Sequence, residues 1–399
     1  MPVPAFDEIL ARRLDALRES GLWRELRRIE GPAGTRVRVG DRTLLNFSGN
    51  DYLGLASHPA LIEAEAVAAR DFGAGATASR LVCGSLSAYH RLEEVIADFK
   101  GAAAALSFAT GHAAAMGTIP ALIGDGDVVV IDRLAHACCV DAARLSGAKL
   151  RVFRHNDLED LERILRWSAD QPRNASGGPH VLVVTESLFS MDGDFAPLRE
   201  IIELKDRYGA WLMLDEAHST GVLGPGGRGL AASLGLSSRV EIQMGTLGKA
   251  IGASGGFIAG SRALIDTLVN RARTFLFSTA PVPAAAVAAT AGIEIVRGPE
   301  GDRLRRCLDA NVILGTAAAT AAGFEVRSRS QILPLMIGDE RRALEVAASL
   351  RASGVLAPAI RHPTVARGEA RIRVTFSAAH SAADLDSLAA ALKLAAAPR

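Results

Sequence analysis

The run Trp211-Leu212-Met213-Leu214 is short and wholly apolar, and it breaks at once into Asp215-Glu216-Ala217-His218 and a glycine-rich stretch. A run this brief is too short for a helix and suits a strand buried on both faces. In an open α/β sheet such a strand delivers the polar residues that follow it to the carboxyl edge, where these sheets bind ligands. A second run, Val240-Glu241-Ile242-Gln243-Met244, ends in Gly245-Thr246-Leu247-Gly248-Lys249. It follows after about one crossover unit, so both strand ends can open into one cleft.

An acid, a histidine and a lysine meeting at one sheet edge suit a particular chemistry. A desolvated lysine amine is nucleophilic near neutral pH and forms a Schiff base with an aldehyde. A carboxylate opposite a pyridine nitrogen keeps that nitrogen protonated, so the ring takes up a carbanion's electrons. The set therefore fits pyridoxal 5'-phosphate, with Lys249 as anchor, Asp215 on the ring nitrogen and His218 on the phenolic oxygen. The DEAH tetrad also occurs in helicases, but those need a GxxxxGK[ST] phosphate loop, and this sequence has none.

Around this stretch, short apolar runs alternate with helical patterns. Strands are expected at 102–108, 128–132, 150–153, 181–185 and 255–260, and helices at 113–122, 158–167 and 198–208. A Pro/Gly/Ser/Asn-rich loop is expected at 171–179. An amphipathic helix, or two, is expected within 7–28, lying on the rest of the protein or on a second subunit. A hairpin follows around Gly40-Asp41. From about residue 290 the pattern changes to a long helix, then strands at 324–326, 332–337, 355–360 and 370–376 with helices at 341–353 and 382–396, as in a smaller α+β domain. The division expected is 1–45 as a helical and hairpin segment, 46–288 as the large domain and 289–399 as the small one.

Net charge is +1, which gives no footprint for nucleic acid or a membrane surface. The segment 101–124 has no charged side chain, but its glycines, proline and histidine favour a strand, a turn and a helix over a membrane span. Cys83, Cys138, Cys139 and Cys307 show no CxxC spacing, so they read as reduced thiols without a metal, and Cys138-Cys139 as core packing. With no secretory pattern at the start, a cytoplasmic location is expected.

Several separated blocks then occur in a telling order. They are Asn46-Phe47-Ser48-Gly49-Asn50-Asp51-Tyr52-Leu53-Gly54-Leu55, the block from Gly73 to Arg80, the 211–249 stretch, and Pro358-Ala359-Ile360-Arg361-His362-Pro363-Thr364-Val365. In these, from about residue 46 to 380, the chain resembles the α-oxoamine synthases, pyridoxal-phosphate enzymes that condense an amino acid with an acyl thioester. The resemblance implies the aspartate-aminotransferase-like fold (fold type I), an α/β architecture with a large, mostly parallel sheet domain and a small C-terminal α+β domain.

It also implies roles. Lys249, Asp215, His218 and His136 would form the catalytic set, His136 stacking on the pyridine ring. The backbone of Gly111 and His112, at a helix start, would seat the phosphate. An aromatic often follows that glycine in the family, and His112 departs from this without affecting a backbone contact. Ser190 and Thr246 would touch the cofactor. Ser278 and Thr279 would reach the neighbouring subunit's phosphate in a homodimer with a shared active site, or else merely cap the next helix. Asn50 and Arg361 would hold the amino-acid carboxylate, with Thr364 beside them, and Arg24 would reach the acyl substrate. From the residues alone, Asn50 equally shapes a turn, and Arg24 is equally a solvated helix charge. His362 stands where the family usually has a proline. Within the family, Val130-Ile131-Asp132-Arg133-Leu134-Ala135-His136 and Phe153-Arg154-His155-Asn156-Asp157 are most similar to the branch joining L-alanine to a pimeloyl thioester. Branches using glycine or serine remain open alternatives, with coenzyme A or acyl carrier protein as carrier. A non-catalytic relative would be expected to have lost the lysine, which is present.

Overall fold

A computed structural model describes residues 5–171 and 179–396; residues 172–178 of the expected loop lie outside the described residues. The centre is a seven-stranded sheet. In spatial order its strands are Ala104–Phe108, Gly256–Gly260, Ile242–Thr246, Trp211–Asp215, Val181–Glu186, Val128–Asp132 and Lys149–Phe153. All run parallel except Gly256–Gly260, which is antiparallel to both neighbours. Val128–Asp132 and Val181–Glu186 are buried at every position. That explains their Val- and Ile-rich runs: both faces are covered by helices, and each buried Val or Ile contributes about 1.5–3 kcal/mol.

Helices Gly111–Leu122, Ala137–Leu145 and Arg262–Arg271 pack on one face of this sheet, and Leu158–Ala169 and Leu198–Arg207 on the other. The second strand of the 211–249 stretch is shifted from its expected place. It begins at Ile242 and continues to Thr246, because Ser237–Arg239 takes up a 3-10 turn first. The shift carries the strand two residues closer to Lys249.

The smaller sheets lie apart from the large one. Ile332–Gly338, Ala370–Thr375 and Ala359–Ile360 form an antiparallel sheet. The expected hairpin, Arg36–Val39 with Arg42–Asn46, pairs in parallel with Val355–Leu356. The sequence reading of 355–360 as one strand is thus divided: Pro358 has no N–H for a ladder, and the two halves join different sheets. The strand expected at 324–326 is reduced to a single bridge between Val326 and Leu335. The N-terminal helix ends at Glu19, and Leu10, Leu14 and Leu17 remain 36–41% exposed on this chain. Among the described residues, no helix is long and apolar enough to cross a membrane.

Candidate active site

Strand register builds the site. Glu186 lies opposite Asp215, and Asp215 opposite Met244, so three neighbouring strand ends place these side chains in one row. They line a cavity of about 160 Å³ with Gly111, His112, His136, Cys138, Ala217, His218, Thr246 and Lys249. Of the fourteen expected site residues, seven meet here: Gly111, His112, His136, Asp215, His218, Thr246 and Lys249.

Lys249 stands in the connection between Ile242–Thr246 and Gly256–Gly260. Its Nζ is 2.7 Å from His218 Nε2, and His218 Nδ1 is 2.6 Å from the Tyr52 hydroxyl. Tyr52 donates onward to Asn50 Oδ1 at 3.2 Å, which also accepts from Arg373 at 3.2 Å. The directions are consistent along the chain: Tyr52 gives its proton to Asn50, accepts from His218 Nδ1–H, and leaves Nε2 to accept from the lysine. Burial, then the nearby cations Lys249 and Arg373, hold His218 well below the usual histidine range, so it works as a neutral hydrogen-bonding group. Burial likewise lowers the lysine's proton affinity, partly opposed by Asp215 and Glu186.

The two carboxyl groups are tuned together. Burial, then Asp215, pushes Glu186 up to about 8. Burial, then the Cys138 sulfur, raises Asp215 to about 6. Asp215 Oδ1 accepts the Ala217 N–H at 2.9 Å, which orients the carboxylate at the strand end. Glu186 Oε2 accepts the Ser190 N–H at 3.2 Å, while its Oε1 is buried without a protein partner. A buried carboxyl oxygen without a partner marks a place for an additional polar group.

The phosphate end follows from a helix start. Thr110 caps helix Gly111–Leu122 through the Ala113 N–H at 3.0 Å, leaving the Gly111 and His112 N–H groups ahead of it to meet an anion. Gly256 makes this possible: a Cβ there would stand 2.5 Å from the Gly111 nitrogen, so only glycine lets the strand pass so close. His136 caps helix Ala137–Leu145, accepting the Cys138 N–H at 3.2 Å, and its Nδ1 lies 3.0 Å from Cys138 Sγ. That sulfur contact outweighs burial and raises the His136 ring to about 9.

A lysine amine, a buried acid opposite it, an orphaned carboxyl oxygen and a helix N-terminus together fit the aldehyde, ring nitrogen and phosphate of pyridoxal 5'-phosphate. The aminotransferase class I and II family model matches residues 42–392. The chain belongs to that family. Among its relatives, the 8-amino-7-oxononanoate synthase of Anaeromyxobacter dehalogenans is 47% identical, covering 96% of this chain and 94% of the relative. The enzyme of the same name from Geobacter sulfurreducens is 44% identical, covering 96% of each. Of solved structures, serine palmitoyltransferase with its pyridoxal-phosphate internal aldimine superposes with a TM-score of 0.90 at 28% identity, covering 98% and 97%. An 8-amino-7-oxononanoate synthase from Francisella tularensis has a TM-score of 0.75 at 25% identity, covering 88% and 97%. These relatives are α-oxoamine synthases, the group within the aminotransferase class I and II family that the sequence motifs resemble.

Other expected residues lie elsewhere in this family member. Arg24, Arg361 and Thr364 line a separate groove of about 820 Å³. Arg361 donates there to the carbonyls of Gly21 and Trp23. Asn50 joins the lysine only through Tyr52 and His218. Ser190 is buried beside Glu186, its carbonyl accepting from Arg373 at 2.7 Å. Ser278 and Thr279 are exposed and do not line the Lys249 cavity. Sequence reasoning assigned no role to Glu186, Tyr52 or Arg373; Cys138 and Cys139 do pack in the core, as read from the sequence, and Cys138 in addition lines the cavity. For Glu186 the signal was present: it ends a buried strand just as Asp215 does.

Proposed function

We propose that this enzyme joins L-alanine to a pimeloyl thioester, carried on coenzyme A or acyl carrier protein. The products are 8-amino-7-oxononanoate, carbon dioxide and the free thiol carrier, in biotin synthesis. The observation that carries this reading is the 44–47% identity to 8-amino-7-oxononanoate synthases along almost the whole of both chains. The cofactor is pyridoxal 5'-phosphate, which when bound supplies a conjugated ring that spreads negative charge from the substrate α-carbon.

The chain's own residues do the rest. Lys249 Nζ, with its proton affinity lowered by burial, serves as the general base at the α-carbon. His218, neutral and held by Tyr52, keeps that amine in place through Nε2. Asp215 keeps a proton on the ring nitrogen. Glu186 carries a proton at neutral pH and offers a hydrogen bond into the same pocket. The Gly111 and His112 N–H groups would hold the phosphate, and the His136 ring would lie over the cofactor face. Arg361 and Asn50 take the amino-acid carboxylate, with Thr364 beside them, and Arg24 the acyl donor. For Arg361 this means exchanging two neutral carbonyl acceptors for a charged one, a trade that charge-assisted, bidentate hydrogen bonding favours.

The working unit is a homodimer in which Ser278 and Thr279 serve the neighbouring subunit's phosphate. Their exposure, away from this chain's own cavity, supports that reading. Unpaired cysteines agree with a reducing cytoplasm.

A second reading, serine with a long-chain acyl donor, is favoured by the higher TM-score to serine palmitoyltransferase, 0.90 against 0.75. Glycine with acetyl-CoA is a third pairing that the shared catalytic residues permit. The test is a panel of L-alanine, glycine and L-serine against acyl thioesters of several lengths, following thiol release. L-Alanine with a pimeloyl donor is expected to be the fastest pair. Strong turnover of glycine with acetyl-CoA, or of serine with palmitoyl-CoA, and none with pimeloyl donors, overturns the assignment.

A further inference from the structure

Cys138 is the second residue of helix Ala137–Leu145, whose N-terminus faces the cavity that holds Lys249. Two features there favour a thiolate: the positive end of the helix, and the His136 ring whose Nδ1 lies 3.0 Å from Sγ. When the thiol proton passes to that ring, Nδ1 gives up the Cys138 N–H it accepted and Nδ1–H becomes a donor to the sulfur, so an ion pair replaces a neutral pair. The remaining titratable groups lining the cavity are Lys249, His218, His112, Asp215 and Glu186, and Cys139 Sγ stands behind at 4.0 Å. His136 is the ring in contact with the sulfur; Glu186, kept protonated by burial, adds little opposing charge, and Asp215, whose carboxyl the Cys138 sulfur raises, is the anion that opposes the thiolate. Contact with Cys139, and then with His136, draws the Cys138 thiol down to about 5 against the opposing effect of burial. Cys139 itself is fully buried and driven the other way.

We propose that Cys138 is a modification site, a thiolate paired with His136 that small electrophiles and peroxides reach through the cofactor pocket and that the bound cofactor shields. This rests on the reading of that pocket as the pyridoxal-phosphate site. With hydrogen peroxide, the sulfur attacks one oxygen, an S–O bond forms and the O–O bond breaks. Sulfur is oxidised to sulfenic acid, the peroxide is reduced, and the departing hydroxide takes a proton from the His136 imidazolium to leave as water. The added oxygen stands within a cavity of only about 160 Å³, beside the ring that covers the cofactor. Oxidation therefore blocks cofactor uptake, and thiol reductants reverse the block.

The test compares holoenzyme with cofactor-stripped protein, both treated with iodoacetamide and read peptide by peptide in a mass spectrometer. Exposed Cys83 provides an internal standard, and N-acetylcysteine in the same tube provides an ordinary thiol. Cys138 is expected to be alkylated at least about tenfold faster in the stripped protein, while Cys83 reacts equally in both. Between pH 8 and pH 6 the Cys138 rate should fall less than about threefold, whereas a free thiol slows about tenfold per pH unit. Stripped protein treated with peroxide should fail to recover its Lys249-dependent absorbance on adding pyridoxal phosphate, and should recover it after dithiothreitol. In Cys138→Ser, or Cys138→Ala should the serine variant not fold, peroxide should no longer prevent that recovery. Equal labelling with and without cofactor, no labelling of Cys138 in either state, a rate that tracks N-acetylcysteine, or a peroxide block that persists in the variants each overturns the proposal. A protein that never shows Lys249-dependent absorbance refutes the cofactor reading instead, independently of how Cys138 labels.

Discussion

Replacing Lys100 by methionine probes why the acid beside Asp215 is not a second cofactor ligand. Lys100 ends helix Ser87–Lys100 with a side chain 1% exposed, and Glu216 is wholly buried. The ammonium donates to Glu216 Oε2 and to the Arg228 carbonyl, both at 2.5 Å, while Glu216 Oε1 accepts the Ala231 N–H at 3.1 Å. Gly229 is pressed against the same carboxylate; a Cβ there would stand 2.5 Å from Oε1. Glu216 thus ties the turn carrying His218 to a helix on the far side of the chain. Lys100→Met leaves a buried carboxylate without its counter-charge, which costs about 3–5 kcal/mol. Lys100→Met combined with Glu216→Gln removes both charges and keeps the acceptor for Ala231. It should recover most of that loss, leaving a deficit of about 1 kcal/mol from the lost hydrogen bonds. Urea titration of cofactor-stripped protein, followed by tryptophan fluorescence, measures the parent, Lys100→Met, Glu216→Gln and the double mutant and gives the coupling between the two positions. A single mutant within about 1 kcal/mol of the parent, or a double mutant no more stable than the single, refutes the reasoning.

Further expectations follow from the site and its surroundings. Tyr52→Phe removes the partner of His218 Nδ1 and frees the imidazole to turn; turnover should fall about tenfold or more with little change in cofactor affinity, as measured by steady-state kinetics beside an absorbance titration. Glu186 carries a raised proton affinity in the fold, about 8 against 4.5, so the stripped protein should lose stability as pH rises from about 4.5 to 8 and level off above. Glu186→Gln should flatten that slope in thermal melts, and an unchanged slope counts against the account. His155 is affected by burial, which lowers it, but its contacts with Asp132 at 3.0 Å and Asp194 at 2.8 Å prevail and raise it to about 10. Its stabilising contribution is fully present below about 6.5 and is lost as pH climbs through 10, so His155→Gln should destabilise the protein at pH 7 and converge with the parent above pH 10.

The catalytic edge was legible in the sequence because it depends on local pattern. An apolar run that stops at Asp215, and another that stops just before Lys249, expose strand ends without any knowledge of what lies beside them. Glu186 obeys the same rule, but its importance appears only when Val181–Glu186 is known to lie next to Trp211–Asp215. Arg373 left no local trace. It reaches Asn50 from 323 positions away, on a sheet whose place against the large domain is set by tertiary packing. For Cys138 the core packing was legible, since an apolar-looking pair after a histidine signals burial, but its place at the cavity wall was not, because the side of the helix facing the cavity is fixed by how His136 caps it. The antiparallel strand Gly256–Gly260 resembles its parallel neighbours in composition, so its direction had to come from the structure.

The pairing of the early hairpin with Val355–Leu356 bears on how such a chain is made. Arg42, within that hairpin, donates to carbonyls 309 and 310 positions further on, so its docking surface does not exist until most of the polypeptide has left the ribosome. At about 5–20 residues per second, the hairpin waits roughly 15–60 s as a two-stranded ribbon with an open edge. That interval is a window for chaperone capture or for mispairing with a neighbouring nascent chain, and it closes only when translation is almost complete.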